Sequence, residues 1–203
     1  MITIVDYGMG NLRNVLRACG EIGADATVTS EPESVRSAQR LILPGVGAFG
    51  EAVRRIDQMG LRKPLLDHVN AGRPLLGICL GMQLFLDSSE ESPGAAGLGL
   101  ITGTVRKLTG DVKVPHIGWN DVTLVSPSPL FPDPKEAPVT YFVHSFYVGI
   151  MPETVAVTEY GVRFSASVRK RNVYGVQFHP EKSQVAGLNI LRRFTLTKPD
   201  ARP

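Results

Sequence analysis

The sequence contains few cysteines and no long apolar segment. Cys19 and Cys79 are its only cysteines; two cysteines are too few for a disulfide framework, and no C-x-x-C pair indicates a zinc site. No apolar run approaches the roughly 20 residues that a membrane-spanning helix needs. The segment MITIVDYG lacks the basic region and apolar stretch of a secretory signal. We therefore expect a cytoplasmic protein with no metal and no other cofactor.

A strong charge imbalance is also absent. The formal net charge is +3, and the one basic cluster, VRKRN over 168–172, lies between two strand-like segments. Nucleic-acid-binding proteins usually carry a basic stripe with aromatic residues interleaved. We interpret the cluster as a solvated hairpin turn. The glycines of GMGN over 8–11 do not complete a dinucleotide-binding motif, because Arg13 stands where G-x-G-x-x-G requires glycine.

The order of apolar segments predicts the fold class. Short apolar runs at 2–7, 41–43 and 74–79 alternate with segments of helical periodicity, which is typical of a parallel sheet covered by helices. After about residue 97, strand-like segments follow one another directly, and we interpret them as additions to the same sheet. The prediction is an α/β fold with an open, mostly parallel sheet, helices on both faces and antiparallel additions in the C-terminal half. We expect a single domain over 1–203.

A sharp turn is predicted around Cys79, within the segment GICLG over 77–81. A strand ends there and a helix is expected over 81–89, while the flanking glycines remove side chains that would clash in a tight turn. Cysteine attacks as its thiolate, which a helix N-terminus and a nearby imidazole stabilise. The N–H of Leu80 would then help to bind an oxyanion. The alternative is that Cys79 is simply a buried cysteine at a strand end. Cys19, on the apolar face of its helix, is expected to be a core residue.

The segment His179-Pro180-Glu181 supplies a candidate base. A residue before proline is extended, and residues i and i+2 of an extended chain project to the same side. The carboxylate can therefore orient the imidazole while the other ring nitrogen faces the cysteine. The alternative is a surface turn that only caps the helix expected from Ser183. His68, in the middle of a charged helix, is expected to be exposed.

A second glycine-rich turn follows another buried strand. In PGVG, glycines flank Val46. Because glycine has no Cβ, this peptide can adopt conformations that would clash if its neighbours carried side chains. The N–H groups of Val46 and Gly47 could complete an oxyanion pocket opposite Leu80. The alternative is an ordinary connection between a strand and a helix.

The motifs PGVG, GICLGMQ and QFHPEKS, in this order, resemble those of class I glutamine amidotransferases. The segments IVDYGMGNLRNV, KVPHIGWN and YFVHSFY are similar to the glutaminase subunits of imidazole glycerol phosphate synthase, which serve histidine biosynthesis. The resemblance implies that Cys79 attacks the side-chain amide of L-glutamine, that His179 moves protons and that Glu181 orients it. It further implies a glutamine site formed by Gly47, Gln83, Glu91, His144, Ser145 and Phe146.

The same resemblance implies a partner protein. Ammonia would pass to a (β/α)8-barrel cyclase, which joins the nitrogen to a ribulosyl intermediate and gives imidazole glycerol phosphate and an aminoimidazole carboxamide ribotide. The residues expected near the interface are Gly8, Met9, Gly10, Asn11, Trp119, Tyr141 and Lys182. Trp119 has an alternative interpretation as a core tryptophan. The Val46 peptide is a candidate switch that the docked partner would turn.

Three other functions stay open at this point. One is the glutaminase of another synthase, which would serve pyridoxal phosphate or anthranilate synthesis. Another is a DJ-1/PfpI-like cysteine hydrolase, although the His-Pro-Glu pair and PGVG do not belong to that group. The third is an interaction module with a vestigial site, against which the intact Cys79, His179 and Glu181 argue.

Overall fold

The computed structural model describes residues 1–131 and 138–200, in which strands and helices alternate before a strand-rich half. In chain order the strands are β1 (Ile2–Val5), β2 (Ala26–Thr29), β3 (Leu41–Leu43), β4 (Leu75–Ile78), β5 (Ser88–Ser89), β6 (Thr104–Lys107), β7 (His116–Asp121), β8 (Thr123–Leu124), β9 (Val139–His144), β10 (Phe146–Val148), β11 (Thr154–Tyr160), β12 (Val162–Lys170) and β13 (Val173–Val176). The helices are α1 (Leu12–Glu21), α2 (Pro32–Ser37), α3 (Phe49–Gln58), α4 (Arg62–Asn70), α5 (Leu80–Gln83) and α6 (Gln184–Leu196), with a 3₁₀ turn at Pro180–Lys182.

The main sheet has the strand order β2-β1-β3-β4-β13-β12-β11-β8. Its first five strands are mutually parallel, and β12, β11 and β8 continue it in antiparallel pairing. The predicted fold class is therefore confirmed. The predicted hairpin turn between β12 and β13 consists of Arg171 and Asn172, whereas residues 168–170 of the basic cluster belong to β12.

Not every later strand joins this sheet, so that part of the expectation is wrong. Strands β10, β6 and β5 form one small sheet, and β7 pairs with β9 in another. Their burial explains the difference. The central strands β1 and β4 are buried at every residue, whereas β9 alternates between buried and more exposed positions. A strand with one apolar face packs over the edge of a covered sheet rather than inside it.

Helices cover the main sheet on both faces, because neighbouring strand residues project to opposite sides. Leu41 and Leu75 belong to an apolar cluster with α3 and α4, whereas Ile42 and Leu76 belong to a second cluster with α1 and α6. Cys19 lies in the second cluster and is fully buried, as expected. None of the described helices has both the length and the apolar character that a bilayer requires.

Two local expectations are wrong. The helix after Cys79 has only the four residues of α5, because the following N–H groups of Phe85 and Leu86 bond three residues back and the chain then pairs with β6 as β5. His68 is fully buried rather than exposed. Its Nε2 lies 3.0 Å from the carbonyl oxygen of Pro74, because its face of α4 packs against the chain that leads into β4.

Candidate active site

Cys79 sits at the carboxyl end of β4 on a strained turn. Its backbone has φ 54° and ψ −109°, a conformation that a residue with a Cβ adopts only at a cost of roughly 1–3 kcal/mol. A Cβ placed on Gly81 would lie 1.8 Å from the carbonyl oxygen of Leu43, and one on Gly77 would lie 2.6 Å from that of Gly81. The glycines on both sides of the cysteine are therefore required by close backbone approach.

Strand register brings the distant His-Pro-Glu segment to this turn. β4 and β13 are parallel neighbours, with Ile78 opposite Val176. The N–H of Cys79 donates to the carbonyl oxygen of Val176 at 2.8 Å. The residues that follow β13 therefore emerge beside Cys79 at the carboxyl edge of the sheet, where open α/β sheets place their sites.

His179 and Glu181 leave the chain on the same side, as the sequence predicts. The Nδ1 atom of His179 lies 2.8 Å from Oε1 of Glu181, and both side chains are buried. Ser183 does not cap α6 through its side chain. Instead its hydroxyl accepts the N–H of Tyr141 at 2.9 Å and donates to the carbonyl oxygen of His179 at 2.6 Å. The turn is thus tied to β9.

The electrostatics of His179 depend on Cys79. Burial by itself lowers the pKa of His179, but Cys79 and Glu181 together raise it to about 10. Within the part of the chain that the structure describes, Nε2 of His179 and Oε2 of Glu181 have no well-aligned hydrogen-bond partner. The sulfur of Cys79 is nevertheless close enough to contribute to the pKa of His179 by charge and by hydrogen bonding. The arrangement favours the imidazolium form of His179.

Gln177 is a further neighbour of the sulfur that the sequence analysis missed. Its Nε2 lies 3.5 Å from Sγ of Cys79, and the carbonyl oxygen of Val143 lies 3.8 Å from the same sulfur. The signal was present, because Gln177 precedes His179 by two residues in an extended segment. The alternation used for His179 and Glu181 also puts Gln177 on that side of the chain.

A cavity of about 290 Å³ opens in front of the sulfur of Cys79. It brings together all the residues predicted for the oxyanion pocket and the glutamine site, whose roles stay predictions. These residues are Val46, Gly47, Leu80, Gln83, Glu91, His144, Ser145 and Phe146. Pro115 and Val143 also line the cavity and were not predicted.

The polar groups of the cavity are held by neighbouring elements. Gln83 donates through Nε2 to the carbonyl oxygen of Phe146 at 2.8 Å. Oε2 of Glu91 accepts the N–H of Phe49 at 2.7 Å and so holds the first turn of α3. Gly47 has φ 102°, in the left-handed region that favours glycine. These contacts fix Gln83 and Glu91 before any ligand binds.

The imidazole of His144 also has a defined proton arrangement. A carbonyl oxygen can only accept, so Nδ1 of His144 donates to the carbonyl of Phe146 at 2.9 Å. Its Nε2 then accepts from Nδ1 of His116 at 3.0 Å. Burial lowers the pKa of His144 to about 3 and that of His116 to about 4, which keeps both rings neutral near pH 7.

The residues predicted for a partner interface form two groups. Loop 8–11 lies beside the PGVG turn, since a Cβ on Gly47 would come within 2.8 Å of Cε of Met9. In the second group, the ring of Trp119 contacts that of Tyr141 edge to face, with centroids 5.9 Å apart, and Nζ of Lys182 lies 5.6 Å from the centre of the Tyr141 ring.

Trp119 is 48% exposed and is therefore not a core residue. Other exposed apolar side chains flank it on β7, β9 and α6, namely Ile117, Val139 and Val185. Exposed apolar side chains that are grouped in this way often mark a protein interface. Among the described residues, no group of three or more histidine, cysteine and acidic side chains is arranged to hold a metal ion.

Comparison with known proteins gives one family. Residues 3–197 match the family described as Glutamine amidotransferase class-I. The imidazole glycerol phosphate synthase subunit HisH of Methanothermobacter thermautotrophicus is 49% identical over 195 residues, covering 96% of this chain and 97% of the relative. The HisH subunit of Bacillus subtilis is 45% identical over 203 residues, covering 96% and 95%.

Solved structures with low identity share the fold. A crystal structure of a glutamine amidotransferase superposes with a TM-score of 0.76 at 18% identity, covering 97% of this chain and 98% of that one. The structure of PurLQS from Thermotoga maritima gives a TM-score of 0.75 at 19% identity, with 96% and 97% covered.

Proposed function

The chain belongs to the class-I glutamine amidotransferases and, within them, to the family of HisH glutaminase subunits of imidazole glycerol phosphate synthase, and from this premise we propose that Cys79, His179 and Glu181 hydrolyse L-glutamine. The proposal is supported chiefly by one observation. The strained cysteine turn, the buried His179–Glu181 pair and the cavity with its polar residues meet at one edge of the sheet.

In the first half of the reaction, the thiolate of Cys79 attacks the amide carbon of the glutamine side chain. The carbonyl oxygen becomes an oxyanion, which the N–H groups of Leu80, Val46 and Gly47 bind. The imidazolium of His179 gives its proton to the departing nitrogen, and ammonia leaves as the carbon–nitrogen bond breaks. The product on the enzyme is a glutamyl thioester.

In the second half, water releases glutamate. Neutral His179 takes a proton from water, whose oxygen attacks the thioester carbon, and the carbon–sulfur bond then breaks to regenerate the thiolate. Glu181 holds Nδ1 of His179 throughout, so that Nε2 remains the nitrogen that exchanges protons. The chemistry needs no group from outside the chain other than glutamine and water.

We place the glutamine side chain against Cys79 and its amino-acid end toward the rest of the cavity. Glu91 is the carboxylate that lines the cavity and can pair with the substrate ammonium. Gln83 and the segment His144–Phe146 supply polar groups on the facing wall. A cavity of about 290 Å³ is at the lower end of the size range of small-molecule sites, as an amino acid requires.

Ammonia that escaped into water would be protonated and lost, so the site requires an acceptor protein. We propose that a (β/α)8-barrel cyclase docks on loop 8–11 and on the exposed side chains around Trp119, and that both subunits are cytoplasmic. Both groups of residues lie beside the active-site edge.

The free thiols of Cys19 and Cys79 are consistent with a reducing compartment.

The PGVG turn is the candidate for communication with the partner. Val46 is 42% exposed, and Gly47 holds a left-handed φ next to the side chain of Met9 in loop 8–11. We propose that docking of the cyclase turns the Val46 peptide toward the oxyanion. Glutaminase rates that are equal with and without the ligand-loaded cyclase would remove this part of the proposal.

The test of the function compares two nitrogen sources. The complex with the cyclase is assayed for imidazole glycerol phosphate with glutamine and, separately, with ammonium salt, for the unmodified chain and for Cys79→Ala. We expect the substitution to reduce the glutamine-dependent rate by at least about a thousandfold and to leave the ammonia-dependent rate unchanged. Loss of both rates would instead assign Cys79 a structural role.

A further inference from the structure

The short helix α5 leaves the stabilisation of the Cys79 sulfur only partly explained. A helix of four residues has little macrodipole to stabilise a thiolate, so less stabilisation comes from α5 than the sequence predicts. The imidazole of His179 supplies part of the missing stabilisation. The remaining polar side chain at the sulfur is that of Gln177, for which the proposed reaction has so far no use.

Gln177 is placed beside Cys79 by strand register rather than by chance contact. It follows Val176, which pairs with Ile78, so Gln177 and Cys79 are the next residues on adjacent parallel strands. Its backbone N–H donates to the carbonyl oxygen of Ala166 on β12. The side chain is fully buried, and it does not line the substrate cavity. Gln177 therefore contacts the sulfur from behind the cavity.

The orientation of its amide group follows from the neighbouring hydrogen bonds. The carbonyl of Phe146 can only accept, so Gln83 must direct Nε2 toward it. The same Nε2 donates at 3.1 Å to Oε1 of Gln177. The oxygen of Gln177 is thereby engaged, and its Nε2 donates to Sγ of Cys79 at 3.5 Å. If the Gln177 amide were flipped, its Nε2 would face Nε2 of Gln83, so that two donors would meet. Its Oε1 would then face Sγ of Cys79, and a thiolate there has no hydrogen to share.

This bond distinguishes the charge states of the sulfur. A thiol can donate weakly to the carbonyl of Val143, which lies 3.8 Å away on another side. A thiolate cannot donate, and it is the better acceptor for an amide N–H, because hydrogen bonds to an ionised group are roughly twice as strong as neutral ones. In low-dielectric surroundings the difference is larger, and Gln177 is fully buried.

We propose that Gln177 is a catalytic residue of the glutaminase reaction, whose amide N–H binds the thiolate of Cys79 while Gln83 holds the amide in that orientation. The inference rests on the proposed function. The thiolate is the attacking species in the first half of the reaction and the leaving group in the second. Gln177 therefore acts in both halves, and Gln83 connects it to the wall of the substrate cavity.

The test removes the donor and keeps the shape. Gln177→Glu replaces the N–H donor with a carboxylate oxygen, and Gln177→Met removes both polar atoms. Two properties are measured without substrate, namely the ultraviolet absorbance of the thiolate, corrected with Cys79→Ala, and the rate of alkylation of Cys79 by iodoacetamide. The kcat and KM for glutamine are then measured in the complex with the cyclase.

For both variants we expect less thiolate at neutral pH and slower alkylation. We expect kcat to fall roughly 10- to 100-fold, the loss for removing one hydrogen bond to a charged group, with KM nearly unchanged. Gln177→Glu should have the larger effect, because it places a negative charge beside the sulfur. If Gln177→Met does not fold, Gln177→Glu decides the result, because it preserves the volume of the side chain.

Asn172 provides the matched control. It is a buried amide next to the opposite end of β13, and its Nδ2 donates to the carbonyl oxygens of Val69 and Arg73 at 3.0 and 2.7 Å. Asn172→Asp removes donors at a distance from the sulfur and should leave thiolate content and alkylation unchanged. Unaltered thiolate and alkylation in the Gln177 variants would overturn the inference. An unmodified chain that hydrolyses no glutamine would instead contradict the proposed function.

Discussion

Cys79 and Cys19 are both buried free thiols of one apolar cluster, yet their immediate neighbours differ. Cys19 lies in the middle of helix α1 among apolar side chains, and burial raises its pKa to about 11. Cys79 lies on a strained turn at the mouth of a cavity, with His179 and Gln177 at its sulfur. The two residues differ in exposure by only a few per cent, 6% against 0%.

The comparison shows that burial alone does not decide what a cysteine does. Desolvation disfavours a thiolate at both positions. At Cys19 desolvation raises the pKa without an opposing contribution, so the residue contributes packing. At Cys79 a cation and an amide donor oppose it, and both come from the segment that follows β13.

The largest effect is expected from Glu181→Gln. Cys79 and Glu181 raise the pKa of His179, and Glu181 also fixes its ring, so the loss of Glu181 leaves only Cys79 to oppose burial and permits the wrong tautomer. We expect the glutamine-dependent kcat to fall roughly 10³- to 10⁴-fold, with the ammonia-dependent rate of the complex retained. The exposed Glu33→Gln on α2 is the control and should have no effect. A loss of less than tenfold in Glu181→Gln would argue against the assigned role.

Alkylation separates the two cysteines directly. A thiol with a pKa of about 11 is ionised to about one part in ten thousand at pH 7. We expect iodoacetamide to modify Cys79 at least about 100-fold faster than Cys19, as measured by mass spectrometry of the two peptides. In urea the two rates should become similar, because both surroundings are lost. Similar rates in the folded protein would mean that the neighbours of Cys79 do not activate it.

The pKa of His179 provides a second test for an ion pair between Cys79 and His179. Burial lowers this pKa, and the contributions of Cys79 and Glu181 exceed that effect. In Cys79→Ala only Glu181 opposes burial, so we expect the pKa of His179 to fall and the imidazole to lose its proton at lower pH. Nuclear magnetic resonance titration of labelled histidine measures the change, with Cys19→Ala as control. An unchanged titration in Cys79→Ala would exclude an imidazolium–thiolate pair.

The smallest effects concern the glycines near each cysteine. A Cβ on Gly81 would lie 1.8 Å from a backbone oxygen, whereas nothing lies within 4 Å of one on Gly20 in α1. We expect Gly81→Ala to lower the free energy of unfolding by at least about 2 kcal/mol and Gly20→Ala to raise it by about 0.5–1 kcal/mol. Urea denaturation measures both. Equal effects would mean that the turn tolerates a side chain.

Much of the site is visible in local sequence patterns. The glycines around Cys79, the extended His179-Pro180-Glu181 segment and the PGVG turn encode short-range sterics, and the structure gives each the expected local geometry. The patterns were less reliable where distant pairing intervenes. The helix after Cys79 stops at α5 because β5 pairs with β6, and His68 is buried because α4 packs against the approach to β4.

By itself the sequence determined the alternation of strands and helices in the N-terminal half, the fold class and the sharp turn at Cys79, because these depend on neighbours within a few residues. Only the tertiary structure decided that Gln177 touches the sulfur, that the later strands divide among three sheets and that the cavity residues meet. Such contacts depend on the register between β4 and β13, whose residues lie almost a hundred positions apart along the chain. No local pattern specifies that pairing; it is the one that buries the apolar faces of both strands together.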